Sequence, residues 1–169
     1  MKKLIEKIEL NIKNPSKGLP DDIFYLVGRL TPYINVDLLV KNDLGQTLLS
    51  WRDETSFNNS VGSGWHIPGG IIRFKELAET RVKKVAEKEL DATVSFLNKP
   101  LEINEIMNKD RDVRGHFLSL LYECKLTSPL NEANMFDINS PKNGSWRWFQ
   151  SCPENLIYQH EIYRDKIGL

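Results

Sequence analysis

The chain of 169 residues carries 23 Lys and Arg against 23 Asp and Glu and is 40% hydrophobic, which suits one domain with a sizeable core and is short for two. Its zero formal net charge argues against a general nucleic-acid or membrane-surface role. Cys124 and Cys152 lack metal-ligand spacing, no apolar run could span a bilayer, and Glu6 and Glu9 break the Lys-rich start, so a soluble cytoplasmic protein with reduced thiols is expected.

In chain order, Leu4, Ile5, Ile8 and Leu10 pattern Met1–Ile12 as a short amphipathic helix that stops near Asn14-Pro15. A second helix is expected over Pro20–Leu30, with Asp21 and Asp22 at its positive end. Residues 1–18 read as a helical extension and 19–169 as a single domain. Strands follow at Tyr33–Val40 and Gln46–Trp51, joined by the turn Asn42-Asp43-Leu44-Gly45. The polar segment Phe57–Gly64 reads either as a pocket lining or as a plain connector. Beyond a central helix come strands at Ala92–Asn98, Leu101–Met107, Gly115–Leu126 and Ser145–Phe149, then a last helix over Pro153–Lys166. Strands, one central helix, more strands and a closing helix predict an α/β (α+β) sandwich rather than a doubly wound sheet.

The central segment carries the chemistry. In Trp65-His66-Ile67-Pro68-Gly69-Gly70, two glycines after a proline suit a turn that no side chain obstructs, open to a ligand. On the helix over Glu76–Leu90, Ala78, Val82, Val85 and Ala86 share one face. Glu89 falls on that face, about 20° from Val82 in projection, while Glu79, Lys83, Glu87 and Lys88 turn elsewhere. A carboxylate at a core edge needs a partner: a salt bridge or cap, or a hard cation such as Mg²⁺.

Spacing here resembles the Nudix hydrolase box, G-x5-E-x7-R-E-U-x-E-E-x-G-U with U apolar. Gly70 and Glu76 keep their places and Lys84 stands where the Arg belongs. Val85 and Lys88 replace two Glu residues, Asp91 replaces the final Gly, and Glu89 alone remains of the acidic cluster. A box that keeps only its last Glu is similar to that of the GDP-mannose mannosyl hydrolase branch of the family. Leu30–Val40, Leu48-Leu49-Ser50-Trp51-Arg52, His116-Phe117-Leu118 and Trp146-Arg147-Trp148 extend the likeness over residues 19–169, with a gap near 55–62.

The resemblance implies a Nudix-type α/β/α sandwich with a mixed sheet, a homodimer, a nucleotide-sugar substrate, and Mg²⁺ with Mn²⁺ as the alternative. It implies that Asp37 and Arg52 are active-site residues, Arg52 contacting the departing diphosphate. It also implies that the Gly69 carbonyl and Glu89 bind the metal and that Lys84 replaces an active-site Arg. Departures stand beside these matches. Ile71 occupies the place of an Arg, Phe117 that of a Tyr, and Lys142-Asn143 that of a Gln ligand and His base. Asn takes no proton near neutral pH.

That branch attacks the anomeric carbon with water and releases nucleoside diphosphate, a step that needs a base and positive charge on the leaving group. Mg²⁺, Arg52, Lys84 and Lys142 are expected to supply the charge. Candidates for the base are His116, Asp137 and Asp37, with His116 preferred because imidazole titrates near neutrality; a polar residue at a strand start is its other reading. Trp65, Phe117, Lys142 and Asn143 are expected at the substrate, with core packing as the alternative for Trp65. Arg111 and Arg114 read as phosphate ligands or as partners in local salt bridges. The leading expectation is a Mg²⁺-dependent hydrolase of a GDP-mannose-type nucleotide sugar. The alternatives are a nucleotide-sugar binding protein with impaired catalysis, and an ordinary diphosphatase, which Val85 and Lys88 disfavour.

Overall fold

The computed structural model describes residues 1–53 and 62–168, so most of the Phe57–Gly64 segment lies outside the described residues. Its elements are α1 (Lys2–Glu9), α2 (Asp21–Leu30), β1 (Tyr33–Val40), β2 (Thr47–Arg52), β3 (Gly64–His66), β4 (Gly69–Ile71), α3 (Ala78–Leu90), β5 (Val94–Phe96), β6 (Glu102–Met107), β7 (His116–Leu126) and β8 (Trp146–Phe149). A 3-10 helix over Tyr158–Lys166 follows.

Strand β1 is buried on both faces, with Val36, Leu38 and Val40 on one side and Asn35, Asp37 and Leu39 on the other. Such a strand belongs inside a sheet. It pairs parallel with β7 and antiparallel with β4, and the far edge of β7 takes up β6 and then β5. A second, antiparallel sheet sets β2 between β3 and β8. Helix α3 lays Val82, Val85, Ala86 and Leu90 against Val36, Leu38, Val40 and Tyr122. The opposite face of β1 and β7 packs Leu39 and Leu121 against Leu49, Trp65, Ile67 and Tyr163. The result is the mixed-sheet α/β sandwich expected from the order of elements.

Two local expectations are corrected. Gly69 and Gly70 form β4 rather than a turn, and neither has a positive φ. Close packing demands them instead: a Cβ at Gly69 would collide with Asp37 Oδ1, and one at Gly70 would lie 2.8 Å from Val85 Cγ2. The closing helix starts at Tyr158, not Pro153, because the preceding backbone is engaged by β3. Trp65 N–H donates to Asn155 O at 2.9 Å, and Ile157 N–H donates to Trp65 O at 2.9 Å.

Helix α3 begins at Ala78, after Lys75 at φ 57 has broken the chain direction. Helix α1 buries none of its residues. Among the described residues, no helix is long and apolar enough to cross a membrane.

Candidate active site

The inward face of β1 repeats every second residue, so Asn35 and Asp37 point the same way, toward Ser119 of β7 and Tyr163 of the 3-10 helix. Asp37 is 2% exposed and accepts hydrogen bonds from Asn35 Nδ2 at 2.9 Å, Ser119 Oγ at 2.5 Å and Tyr163 OH at 2.7 Å. A buried acid needs donors of this kind. Burial, then the Asp37 charge, raises the Tyr163 hydroxyl far above its ordinary range, so Tyr163 acts only as a protonated neighbour. With both oxygens engaged, Asp37 is built into the floor of the site.

Above that floor lies a cavity of about 110 Å³, walled by Arg52 at the end of β2, by Arg111 and Arg114 from the β6–β7 loop, and by His66 and His160. Burial lowers all three guanidinium pKa values; Arg111 and Arg52 lower Arg114 further, while Glu89 opposes the shift of Arg52. Guanidinium stays charged regardless, so three like charges meet in one small space, an arrangement that favours an anion.

The imidazoles behave differently. Burial, with Arg52 and His160, holds His66 well below its ordinary value, and burial brings His160 down to about 4 against the pull of Asp37. Both are neutral at pH 7. His160 Nδ1 accepts the Ile67 N–H at 2.9 Å, which leaves its proton on Nε2.

Gly69, Gly70, Ile71 and Arg114 also border a second cavity of about 390 Å³, reached by Lys84, Lys88 and Glu89 of α3. Burial pushes the Glu89 carboxyl up to about 7 against the opposing effects of Arg52, a Gly69 backbone hydrogen bond and Lys88. Its side chain keeps 31% exposure and lies 3.9 Å from His66 Nε2.

Glu76, by contrast, is fully engaged. It accepts hydrogen bonds from Arg73 N–H at 2.9 Å, Arg81 Nε at 2.8 Å and Lys84 Nζ at 2.9 Å. Burial alone would raise its carboxyl, but these bonds hold it below the ordinary range. Among the described residues there is no group of three or more His, Cys, Asp or Glu that could hold a metal. One under-compensated carboxylate beside a glycine strand fits a single hard cation completed by waters and a ligand's phosphate oxygens. It does not fit a cluster of cations.

The structure thus brings Asp37, Arg52, Gly69 and Phe117 to the first cavity, and Gly69, Lys84 and Glu89 to the second. Other expected residues lie elsewhere. Trp65 is 4% exposed and packs its ring 5.2 Å from Trp51, 4.6 Å from Phe136 and 4.7 Å from Phe149, so packing is its role here. His116 lies on neither wall and pairs through Nε2 with Glu105 Oε1 at 2.9 Å near the surface; the positions that β6 and β7 share in register turn it away. Lys142, Asn143 and Asp137 border a separate depression whose one shared wall residue with the second cavity is Lys88.

Sequence reasoning missed His66, His160, Ser119 and Tyr163. Asn35 and Asp37, polar at alternate positions of an apolar strand, were the signal that an inward polar site existed.

The two-sheet sandwich thus sets a glycine strand between an arginine-walled cavity and a partly exposed carboxylate. No protein-family model matches the chain. Among curated proteins it is 28% identical over 116 residues to the low-salt glycan biosynthesis protein Agl8 of Haloferax volcanii, covering 66% of this chain and 70% of that one. Among solved structures it resembles the MutT NUDIX hydrolase from Burkholderia pseudomallei with a TM-score of 0.61 at 17% identity, over 82% of this chain and 99% of that one. The MutT protein from Methanosarcina mazei Go1 follows, with a TM-score of 0.59 at 18% identity over 80% and 91%. An ADP-ribose pyrophosphatase from Streptococcus suis gives 0.53 at 16% identity over 81% and 87%. The chain has the Nudix hydrolase fold.

Proposed function

We propose that the protein is a Mg²⁺-dependent hydrolase of a nucleoside-diphosphate sugar, GDP-mannose or a close relative, that releases free sugar and nucleoside diphosphate. One observation carries this reading: Glu89 and the guanidiniums of Arg52, Arg111 and Arg114 gather around Gly69-Gly70, one acid for a cation and fixed positive charge for a diphosphate. Similarity to a protein named for glycan biosynthesis supports a saccharide at the other end.

Glu89 and the Gly69 carbonyl would hold Mg²⁺ or Mn²⁺, which supplies charge neutralisation of the diphosphate when bound. Arg52 stabilises the charge that builds on the leaving oxygen as the anomeric C–O bond breaks. The anomeric carbon takes on oxocarbenium character as that bond breaks, water adds to it to give the free sugar, and the proton of the water passes to solvent or to the released diphosphate. Lys84 holds Glu76 and so fixes the start of α3 beneath the second cavity. The reading includes a homodimer, for which the exposed apolar residues Leu4, Ile5 and Ile8 of α1 offer a surface; sedimentation of the full chain at a single protomer mass would remove that part.

A second reading, a nucleotide-sugar binding protein without turnover, is favoured by the two neutral imidazoles and the distant His116. Phosphorus and proton NMR of the protein with Mg²⁺ and GDP-mannose, with other nucleotide sugars in parallel, separates the readings. Free sugar and nucleoside diphosphate are expected. Sugar phosphate with nucleoside monophosphate would indicate attack at phosphorus, and saturable binding without product would indicate the binding protein.

A further inference from the structure

The loop between β6 and β7 is folded more tightly than a connector needs. Asn108 N–H donates to Gly115 O at 2.7 Å, Arg111 N–H to Asn108 O at 3.3 Å, and Asp110 N–H to Asn108 Oδ1 at 3.0 Å. A Cβ at Gly115 would collide with Arg111 O and lie 2.7 Å from Asn108 O. Immediately before that glycine, Arg114 adopts φ 57, a left-handed conformation unfavourable for a long side chain.

The product of this winding is the placement of two guanidiniums. Arg111 and Arg114 both wall the first cavity, and Arg114 also borders the second. The Arg114 guanidinium carbon lies 6.0 Å from the centre of the Phe24 ring, within cation–π reach. Phe24 is itself stacked on Tyr33 at 4.8 Å, and Tyr33 lies 5.6 Å from Phe117. An aromatic column from α2 through β1 to β7 thus seats the arginine. Arg111, Arg114 and Arg52 thus present three guanidiniums to one small cavity, and an anion placed among them offsets their mutual repulsion.

We propose that the 108–115 loop is an anion-binding arm that grips the ligand's diphosphate directly through Arg111 and Arg114, independently of the cation held at Glu89. The proposal rests on the diphosphate reading above and extends it in one respect: part of the affinity for a diphosphate needs no metal. Asn108 and Gly115 are positioning residues, since they shape the loop without facing the ligand. Phe24 is the platform on which Arg114 is presented.

Titration calorimetry with inorganic pyrophosphate in EDTA tests it. Wild type is expected to bind, and R111A/R114A to bind at least about 100-fold more weakly, as the loss of two charge-assisted contacts implies. K109A, which removes an exposed charge from the same loop, should bind as wild type does. Circular dichroism melts check that the double variant folds; if it does not, R111A and R114K singly carry the comparison, each expected to lose about tenfold. No pyrophosphate binding by wild type in EDTA, or equal weakening in K109A and R111A/R114A, overturns the proposal. Unchanged nucleotide-sugar hydrolysis in that case leaves the proposed function standing, whereas arginine-dependent pyrophosphate binding without hydrolysis removes the function and keeps the arm.

Discussion

Asp37 and Glu89 are two acids at one pair of cavities with opposite surroundings. Three donors converge on Asp37, while burial pushes Glu89 up to about 7. The sign of the linkage follows. Between the ordinary carboxyl range and about 7 the folded protein binds more protons than the unfolded chain, so stability from this group falls as pH rises through that window. Glu89→Gln should therefore raise the melting temperature at pH 8 in EDTA and change it little at pH 4. The gain is about 2 kcal/mol, reduced by the solvent that reaches the side chain. The same variant should lose Mg²⁺-dependent nucleotide binding and about 100-fold in turnover. Melts at both pH values with a Mg²⁺ titration check it; equal destabilisation at pH 4 and 8 would reject this account of Glu89. Its inward position was legible from helix spacing alone, because its distances from Val82, Val85 and Ala86 fix the face. The ties on Asp37 were not, since Ser119 and Tyr163 lie 82 and 126 positions away in sequence.

Among the elements, length decided what could be read ahead. Strand β1 emerged over Tyr33–Val40 as expected, and α3 nearly so, because eight to thirteen residues of one period outweigh local noise. Strands β3 and β4 have three residues each, too few for any period, and the late start of the 3-10 helix depends on a backbone partner in β3. That helix holds the floor of the site through Tyr163. Tyr163→Phe removes the donor to Asp37 Oδ2 and should lower stability by about 1–3 kcal/mol, read as a lower urea midpoint with unchanged slope. The β4–α3 contact is equally close. Gly70→Ala places a methyl 2.8 Å from Val85 Cγ2, so it should move α3 off the sheet and remove about 1–3 kcal/mol. An unchanged urea midpoint for G70A would mean that the glycine serves only the ligand.

Across the whole molecule, titratable groups from three separate stretches of chain meet around two adjoining cavities, so the pH response is a property of the fold rather than of any one element. His160, from the last helix, is held neutral down to about 4, and His66, from β3, is also held well below its ordinary value. Their sign is the reverse of that of Glu89. Between about 4 and the ordinary imidazole range the unfolded chain binds more protons than the folded protein, so stability falls as pH drops through that window. Two histidines outweigh one carboxyl where the windows overlap, and the net expectation is a protein that weakens with acid below about 6.5. His160→Gln keeps an acceptor for the Ile67 N–H and removes one titrating ring. Its stability loss between pH 7 and pH 5 should be smaller than that of wild type by about 1–2 kcal/mol. Parallel urea titrations at the two pH values measure the difference. Equal losses would mean that the hydrogen bond from Ile67 N–H and the contact with the Tyr163 ring do not hold His160 below its ordinary range.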